Sequence, residues 1–251
     1  MANFGFRRLT VVAPYEEHWR EAKSAVGAEA LLQNAKRVER LAEAVADCTL
    51  VLGTGTSTHR KPEQPVVALP ALAPLVQREM ERGGRVALVF GPEKRGLTRE
   101  DLSHCHWLVE IPTSPRQPSM NLGQAVAVCL YELVTRLNKL GELSAEPGID
   151  PHSSRKNENA ARMGYPDRVE HDTAPATARD LELMAGVVEE TMLAANYSPA
   201  AMRNANRHDV HLMLHRLALT GRDARRILGF LRRILWRFKH SSGSSRTSKC
   251  K

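Results

Sequence analysis

Short runs of β-branched and apolar residues alternate with helically spaced stretches over the first 140 positions. Leu9-Thr10-Val11-Val12 predicts a strand ended by Ala13-Pro14, because proline has no amide hydrogen with which to continue a ladder. Thr49-Leu50-Val51-Leu52 predicts a second strand, running straight into Gly53-Thr54-Gly55-Thr56. Val86-Ala87-Leu88-Val89-Phe90 is an unbroken apolar run of the kind buried on both faces of a parallel sheet. Trp107-Leu108-Val109-Glu110-Ile111 predicts the last strand, stopped by Pro112. Between these runs, residues 16–47 read as mostly helical, and a further helix opens at Pro70 and ends at Gly83-Gly84. Thr98 followed by Asp101 forms a variant capping box for a short helix. A long helix is predicted from Ser119 to about Leu140, with Leu122, Val126, Leu130, Leu133 and Leu137 at helical spacing. This alternation defines an α/β domain with a mostly parallel sheet over residues 1–140.

The pattern then breaks. Gly, Pro, Ser, Asn and charged residues dominate 141–180, which predicts a flexible linker, since so few apolar side chains cannot offset ordering entropy. Helical spacing returns over 181–240, at Leu181, Met184 and Val188, then Val210, Met213 and Leu217, then Ile227, Leu231, Ile234 and Phe238. Three helices of this size predict a small bundle or packing across a dimer. Residues 241–251 are low in complexity and read as a disordered tail.

Charge sharpens the picture. The 251 residues carry a net charge of +8, but residues 203–251 alone carry +11, which leaves −3 on the rest. A strongly basic C-terminal quarter on a near-neutral body points to a polyanionic partner, most simply nucleic acid. No apolar run approaches the ~18 residues of a membrane-spanning helix, and the N-terminus lacks the layout of a secretory signal. A cytoplasmic protein with no membrane partner is therefore expected. The four cysteines are widely spaced, with no Cys-x-x-Cys pair; Cys48 and Cys129 read as small core residues. His104-Cys105-His106 are adjacent, and adjacent residues rarely converge on one ion, so no metal site is predicted.

The informative loops follow strands, where open α/β sheets place their ligands. The first is Gly53-Thr54-Gly55-Thr56-Ser57, which lacks the Gly-x-Gly-x-x-Gly pattern of a dinucleotide site. The second is Phe90-Gly91-Pro92-Glu93-Lys94-Arg95-Gly96-Leu97-Thr98, without the Gly-Lys-Ser/Thr ending of a P-loop, so nucleotide hydrolysis is not supported. The third runs from Ile111-Pro112-Thr113 to Pro118-Ser119-Met120-Asn121-Leu122-Gly123. Taken singly, each has a plain alternative: a tight turn, a Pro-Glu turn closed by Gly96, and a helix capped by Ser119.

In order and spacing, Asn3-Phe4-Gly5-Phe6, Gly53-Thr54, Phe-Gly-Pro-Glu-x-x-Gly-Leu, Ile-Pro-Thr, Ser-Met-Asn-Leu and Tyr131-Glu132-Leu133 together resemble the SPOUT class of RNA methyltransferases. Within it the chain resembles the SpoU/TrmH-type 2′-O-ribose methyltransferases, nearest the TrmJ branch, over residues 1–140; the basic region beyond is a looser match. The resemblance implies an α/β domain with a C-terminal trefoil knot that binds S-adenosylmethionine, a homodimer, and an RNA substrate, tRNA ahead of rRNA. Carried over by position, the cofactor contacts are Thr54, Gly55, Thr56, Gly91, Ile111, Pro118, Ser119 and Met120. At Met120 the family more often has Leu, and either supplies an apolar wall for adenine. Glu93 and Asn121 are implied as supporting residues that position the loops. The family's first motif carries an arginine near the transferred methyl; here that arginine is expected upstream of Met1, so residues 1–251 by themselves are expected to have little or no activity. Two competing readings stay open: a SPOUT-like remnant that binds RNA without catalysis, and a nucleotide-binding α/β enzyme whose loops imitate the pattern.

Overall fold

The structure, a computed structural model, describes residues 1–15, 19–21, 25–56, 62–144, 174–197 and 199–241. Its central element is a four-stranded parallel sheet of β3 (Leu50–Thr54), β4 (Val66–Ala68), β5 (Val86–Val89) and β6 (Trp107–Glu110), in the order β4-β6-β3-β5. A separate parallel pair joins β1 (Thr10–Val12) to β2 (Lys36–Val38). The four strands expected from the sequence are all present, and β2 and β4 add to them. Both additions are three-residue strands with two residues exposed and one buried, and among the described residues the 16–47 region otherwise holds short helices, including α1 (Glu29–Gln33) and α2 (Leu41–Ala44).

Period-two alternation decides which side chain meets which layer. Leu50, Leu52 and Val109 face a core with Leu72, Val76, Cys129 and Leu133, supplied largely by α3 (Ala73–Glu81) and α5 (Leu122–Ser144). Val51 points to the opposite face, against Leu41, Val45, Cys48 and Cys105. The strand buried on both faces is β3, whereas every residue of β5 is only half-buried. The doubly buried reading of 86–90 is thus corrected: among the described strands β5 lies at the edge of its sheet, and β3 lies inside.

The capping box forms as expected. Thr98 Oγ1 accepts from the Asp101 amide at 3.1 Å, and the Asp101 carboxylate accepts from the Thr98 amide at 2.8 Å, opening α4 (Arg99–Ser103). At α5 the expectation shifts by two residues. Asn121, not Ser119, caps the helix: its Oδ1 accepts from the amides of Gly123 (2.9 Å) and Gln124 (3.4 Å).

The C-terminal region is a three-helix bundle of α6 (Ala178–Ala194), α7 (Arg203–Arg216) and α8 (Gly221–Ser241). Helix α6 starts at Ala178, three residues before the patterned Leu181, under a second capping box from Thr177 and Asp180. Leu181, Met184, Val210, Leu214, Ala224 and Leu228 form the bundle core. On α7 the buried face is Val210 and Leu214; Met213 and Leu217 are exposed, because the helix turns His208, His211 and Leu212 inward as well. The bundle docks on the α/β domain, with the amides of Ala178 and Arg179 donating to Cys48 and Ala46 carbonyls at 2.8 and 3.0 Å. Of the linker expected over 141–180, residues 145–173 lie outside the described residues, as do 242–251 of the tail. Among the described residues, no helix is long and apolar enough to cross a membrane.

Candidate active site

Three neighbouring strands deliver the three candidate loops to one edge of the sheet. In β6-β3-β5 the register pairs Thr54 with Val109 and Gly53 with Val89, and all three strands are parallel. The segments 55–56, 90–98 and 111–121 therefore leave side by side from the carboxyl ends, where ligands of open α/β sheets bind.

Each loop is held by bonds that run between strands. Thr54 Oγ1 donates to the Val89 carbonyl at 3.0 Å, and the Gly55 amide donates to the Val109 carbonyl at 3.1 Å. Thr56 Oγ1 donates to Glu110 Oε1 at 3.4 Å. Ser57 lies outside the described residues. In the third loop Thr113 Oγ1 donates to the Pro118 carbonyl at 3.3 Å, folding the segment back towards its own start. Ile111, Pro118 and Met120 are half-buried, while Gly55 and Ser119 are exposed.

The two supporting residues meet. Glu93 Oε1 accepts from Asn121 Nδ2 at 2.6 Å and from the Leu122 amide at 3.2 Å. One carboxylate oxygen thus clasps the second loop to the first turn of α5. A carboxylate at a helix N-terminus also complements the helix dipole.

Gly91 is required by its own loop. A Cβ there would lie 2.2 Å from the Gly96 carbonyl carbon and 2.3 Å from the Leu97 nitrogen, so the loop crosses its own backbone at this point. The return is closed by Gly96, whose φ of +63° suits glycine and whose amide donates to the Pro92 carbonyl at 2.8 Å. Gly53 has a related constraint: a Cβ would come within 2.8 Å of Cys105 Sγ and 3.0 Å of Leu97 Cδ1. Leu97 and Glu110 are the neighbours that sequence reasoning omitted. Glu110 carried a signal, an acid at the end of an otherwise apolar strand.

Thiol chemistry is not available beneath the loops. Burial pushes the Cys105 thiol up to about 12 and the Cys129 thiol up to about 11, so both stay protonated and act as small apolar residues.

A broad apolar groove of about 490 Å³ lies beside the third loop, lined by Phe4, Leu69, Ile111, Val128 and Tyr131 among others. The Phe4 and Tyr131 rings meet edge-to-face with centroids 6.2 Å apart, and Tyr131 is 58% exposed.

Residues 1–131 match the model of the SpoU rRNA Methylase family. The chain is 33% identical over 226 residues to the tRNA (cytidine/uridine/adenosine-2′-O-)-methyltransferase TrmJ of Pseudomonas aeruginosa, covering 89% of this chain and 79% of that protein. It is 32% identical over 241 residues to the tRNA (cytidine/uridine-2′-O-)-methyltransferase TrmJ of Escherichia coli, covering 94% and 85%. Among solved structures, TrmJ from Z. mobilis superposes with a TM-score of 0.69 at 25% identity, over 95% of this chain and 90% of that one. The chain belongs to the SpoU/TrmH methylase family, in its TrmJ branch. The similarity to TrmJ proteins extends through the basic helical bundle, well beyond residue 131.

Proposed function

We propose that the protein transfers the methyl group of S-adenosylmethionine to a ribose 2′-hydroxyl of RNA, with tRNA as the substrate. The observation that carries this reading is that parallel β3, β5 and β6 bring three loops to one edge of the sheet, where the Glu93–Asn121 clasp ties the second loop to the third. The residues there fit the cofactor. Half-buried Ile111, Pro118 and Met120 offer apolar walls for a flat adenine, and Thr54, Gly55 and Thr56 offer main chain and hydroxyls for its polar edge. Gly91 and Ser119 complete the set, Gly91 by letting the second loop close and Ser119 by its exposed hydroxyl.

When bound, S-adenosylmethionine supplies an electrophilic methyl on a sulfonium centre. What this chain contributes is position: the loops fix the cofactor relative to an incoming ribose, and such alignment can replace much of the entropic barrier. Glu93 acts through Asn121 as a positioning residue, since its Oε1 is already committed to two donors. The knot is part of the proposal, with 111–144 as the threaded segment. So is a homodimer that covers the groove around Val128 and Tyr131, whose exposed apolar side chains favour a symmetric contact.

The RNA surface is α8. All seven of its Lys and Arg side chains are exposed, and Arg233 lies 5.4 Å from the Trp236 ring centroid. Basic side chains for phosphates beside exposed aromatics for bases suit RNA. The relatives named for tRNA methylation favour tRNA, and the family name keeps rRNA as the second reading. Mapping 2′-O-methyl groups in total RNA from cells with and without the gene tests the proposal. Loss of a ribose methyl from tRNA, restored by the gene, is expected. Loss from rRNA alone would move the substrate, and no loss would overturn the reading.

A further inference from the structure

Histidines crowd the seam between the α/β domain and the helical bundle. His104 follows α4, Glu182 lies on α6 and His211 on α7, and one ligand atom from each falls within 4.8 Å of the others. His211 Nε2 is 3.3 Å and His104 Nδ1 is 3.7 Å from Glu182 Oε2. His211 is 4% exposed, yet its Nε2 has no hydrogen-bond partner, and neither does Glu182 Oε2. Buried polar atoms in this state are costly unless something satisfies them.

The spacing suits an ion. Tetrahedral zinc with bonds of ~2.0–2.1 Å to nitrogen and oxygen holds its ligand atoms about 3.3 Å apart. One pair already has that separation, and a second needs only a few tenths of an ångström. The carboxylate of Glu182 is also turned the right way, because its other oxygen, Oε1, is taken by Arg207 and Oε2 is left to the histidines. Such outer contacts fix a ligand's direction.

We propose that His104, Glu182 and His211 bind one divalent transition ion, zinc by ligand type, with water in the fourth position on the partly exposed side of Glu182. The ion would staple the basic bundle to the α/β domain, since its three ligands come from three separate elements across the seam. Sequence spacing did not reveal it because only His104 belongs to the adjacent His-Cys-His run; His106 instead accepts the Val51 amide at 3.0 Å.

The test uses the full chain, free of affinity tags and treated with chelator, titrated calorimetrically with ZnCl2 and followed by visible absorption with CoCl2. One zinc per chain and a tetrahedral cobalt spectrum are expected. H104Q and E182Q should each weaken zinc binding at least ~100-fold, beyond the 10- to 100-fold typical of losing an outer-shell partner. H208Q, which alters a neighbouring α7 histidine facing Glu63 at 3.3 Å, should stay within about threefold of the parent. Wild-type affinity in both ligand variants, or no stoichiometric binding by the parent chain, would overturn the proposal. Should a variant fail to fold by circular dichroism, the cobalt spectrum of the parent decides, and an octahedral spectrum would count against the site.

Discussion

Replacing Asn121 by Asp isolates the clasp from the helix cap. Asp and Asn cap helices about equally well, so the bonds from Gly123 and Gln124 should survive N121D. What changes is the 2.6 Å contact with Glu93, where a donated hydrogen bond becomes an encounter of two carboxylates. Hydrogen bonds to charged groups contribute about 1.5–3 kcal/mol, and the exposure of this pair argues for the lower end. Repulsion between unit charges ~4 Å apart adds about 1 kcal/mol in water, more where solvent is displaced. A new anion at the α5 N-terminus offsets about 0.3–1 kcal/mol of this. The net is about 2 kcal/mol against the clasped arrangement, which corresponds to roughly 30-fold in S-adenosylmethionine affinity. In the E93Q/N121D double variant the introduced amide can donate to the introduced carboxylate. The bond then re-forms with reversed polarity, and affinity should recover part of the loss, because an amide nitrogen in that place no longer accepts from Leu122. Isothermal titration of the single and double variants measures this, with circular dichroism showing that the fold persists. Normal affinity in N121D would overturn this reading of the clasp, as would a double variant that binds no better than N121D.

Other consequences follow from the same geometry. G91A should lower cofactor affinity more than tenfold and reduce thermal stability by about 1–3 kcal/mol, because the added methyl meets backbone rather than a mobile side chain; an unchanged melt and titration would show that the loop can yield. R232A/R233A should reduce the steepness of the log affinity against log salt plot for tRNA by up to about two, one for each phosphate no longer neutralised; an identical slope would place the RNA elsewhere. Y131D should convert a dimer to monomer in sedimentation at micromolar concentration, and a monomeric parent chain would rule the dimer out.

The sheet and its loops are readable from the sequence because both obey short-range rules. Leu50-Val51-Leu52 and Leu108-Val109 are apolar in consecutive positions, and the structure shows why: both faces of these strands are covered. The Thr98–Asp101 capping box also depends only on local spacing. What escaped was set by tertiary contact. Lys36–Val38 forms a strand because β1 lies beside it, not because its residues favour one. Asn121 rather than Ser119 caps α5 because Glu93, from a distant loop, pins that turn. Around α7 the periodicity points to Val210, Met213 and Leu217 as the inner face; Val210 is buried, but a helix wedged between a bundle and a sheet domain buries two faces, and histidines rather than Met213 and Leu217 fill the second. Gly91 illustrates the same limit: the sequence marks a backbone that must pass close to something, and only the structure shows that the neighbour is its own loop.

The proposed activity depends on segments 54–56, 91–97 and 111–121 building one cofactor site at the ends of β3, β5 and β6. A crystal structure of the protein grown with S-adenosylmethionine is the decisive experiment. The nucleoside is expected against Ile111, Pro118 and Met120, with the Glu93–Asn121 hydrogen bond intact beside it. Cofactor bound elsewhere, for example in the cleft between the sheet domain and the helical bundle, or no bound cofactor at saturating concentration, would contradict that site.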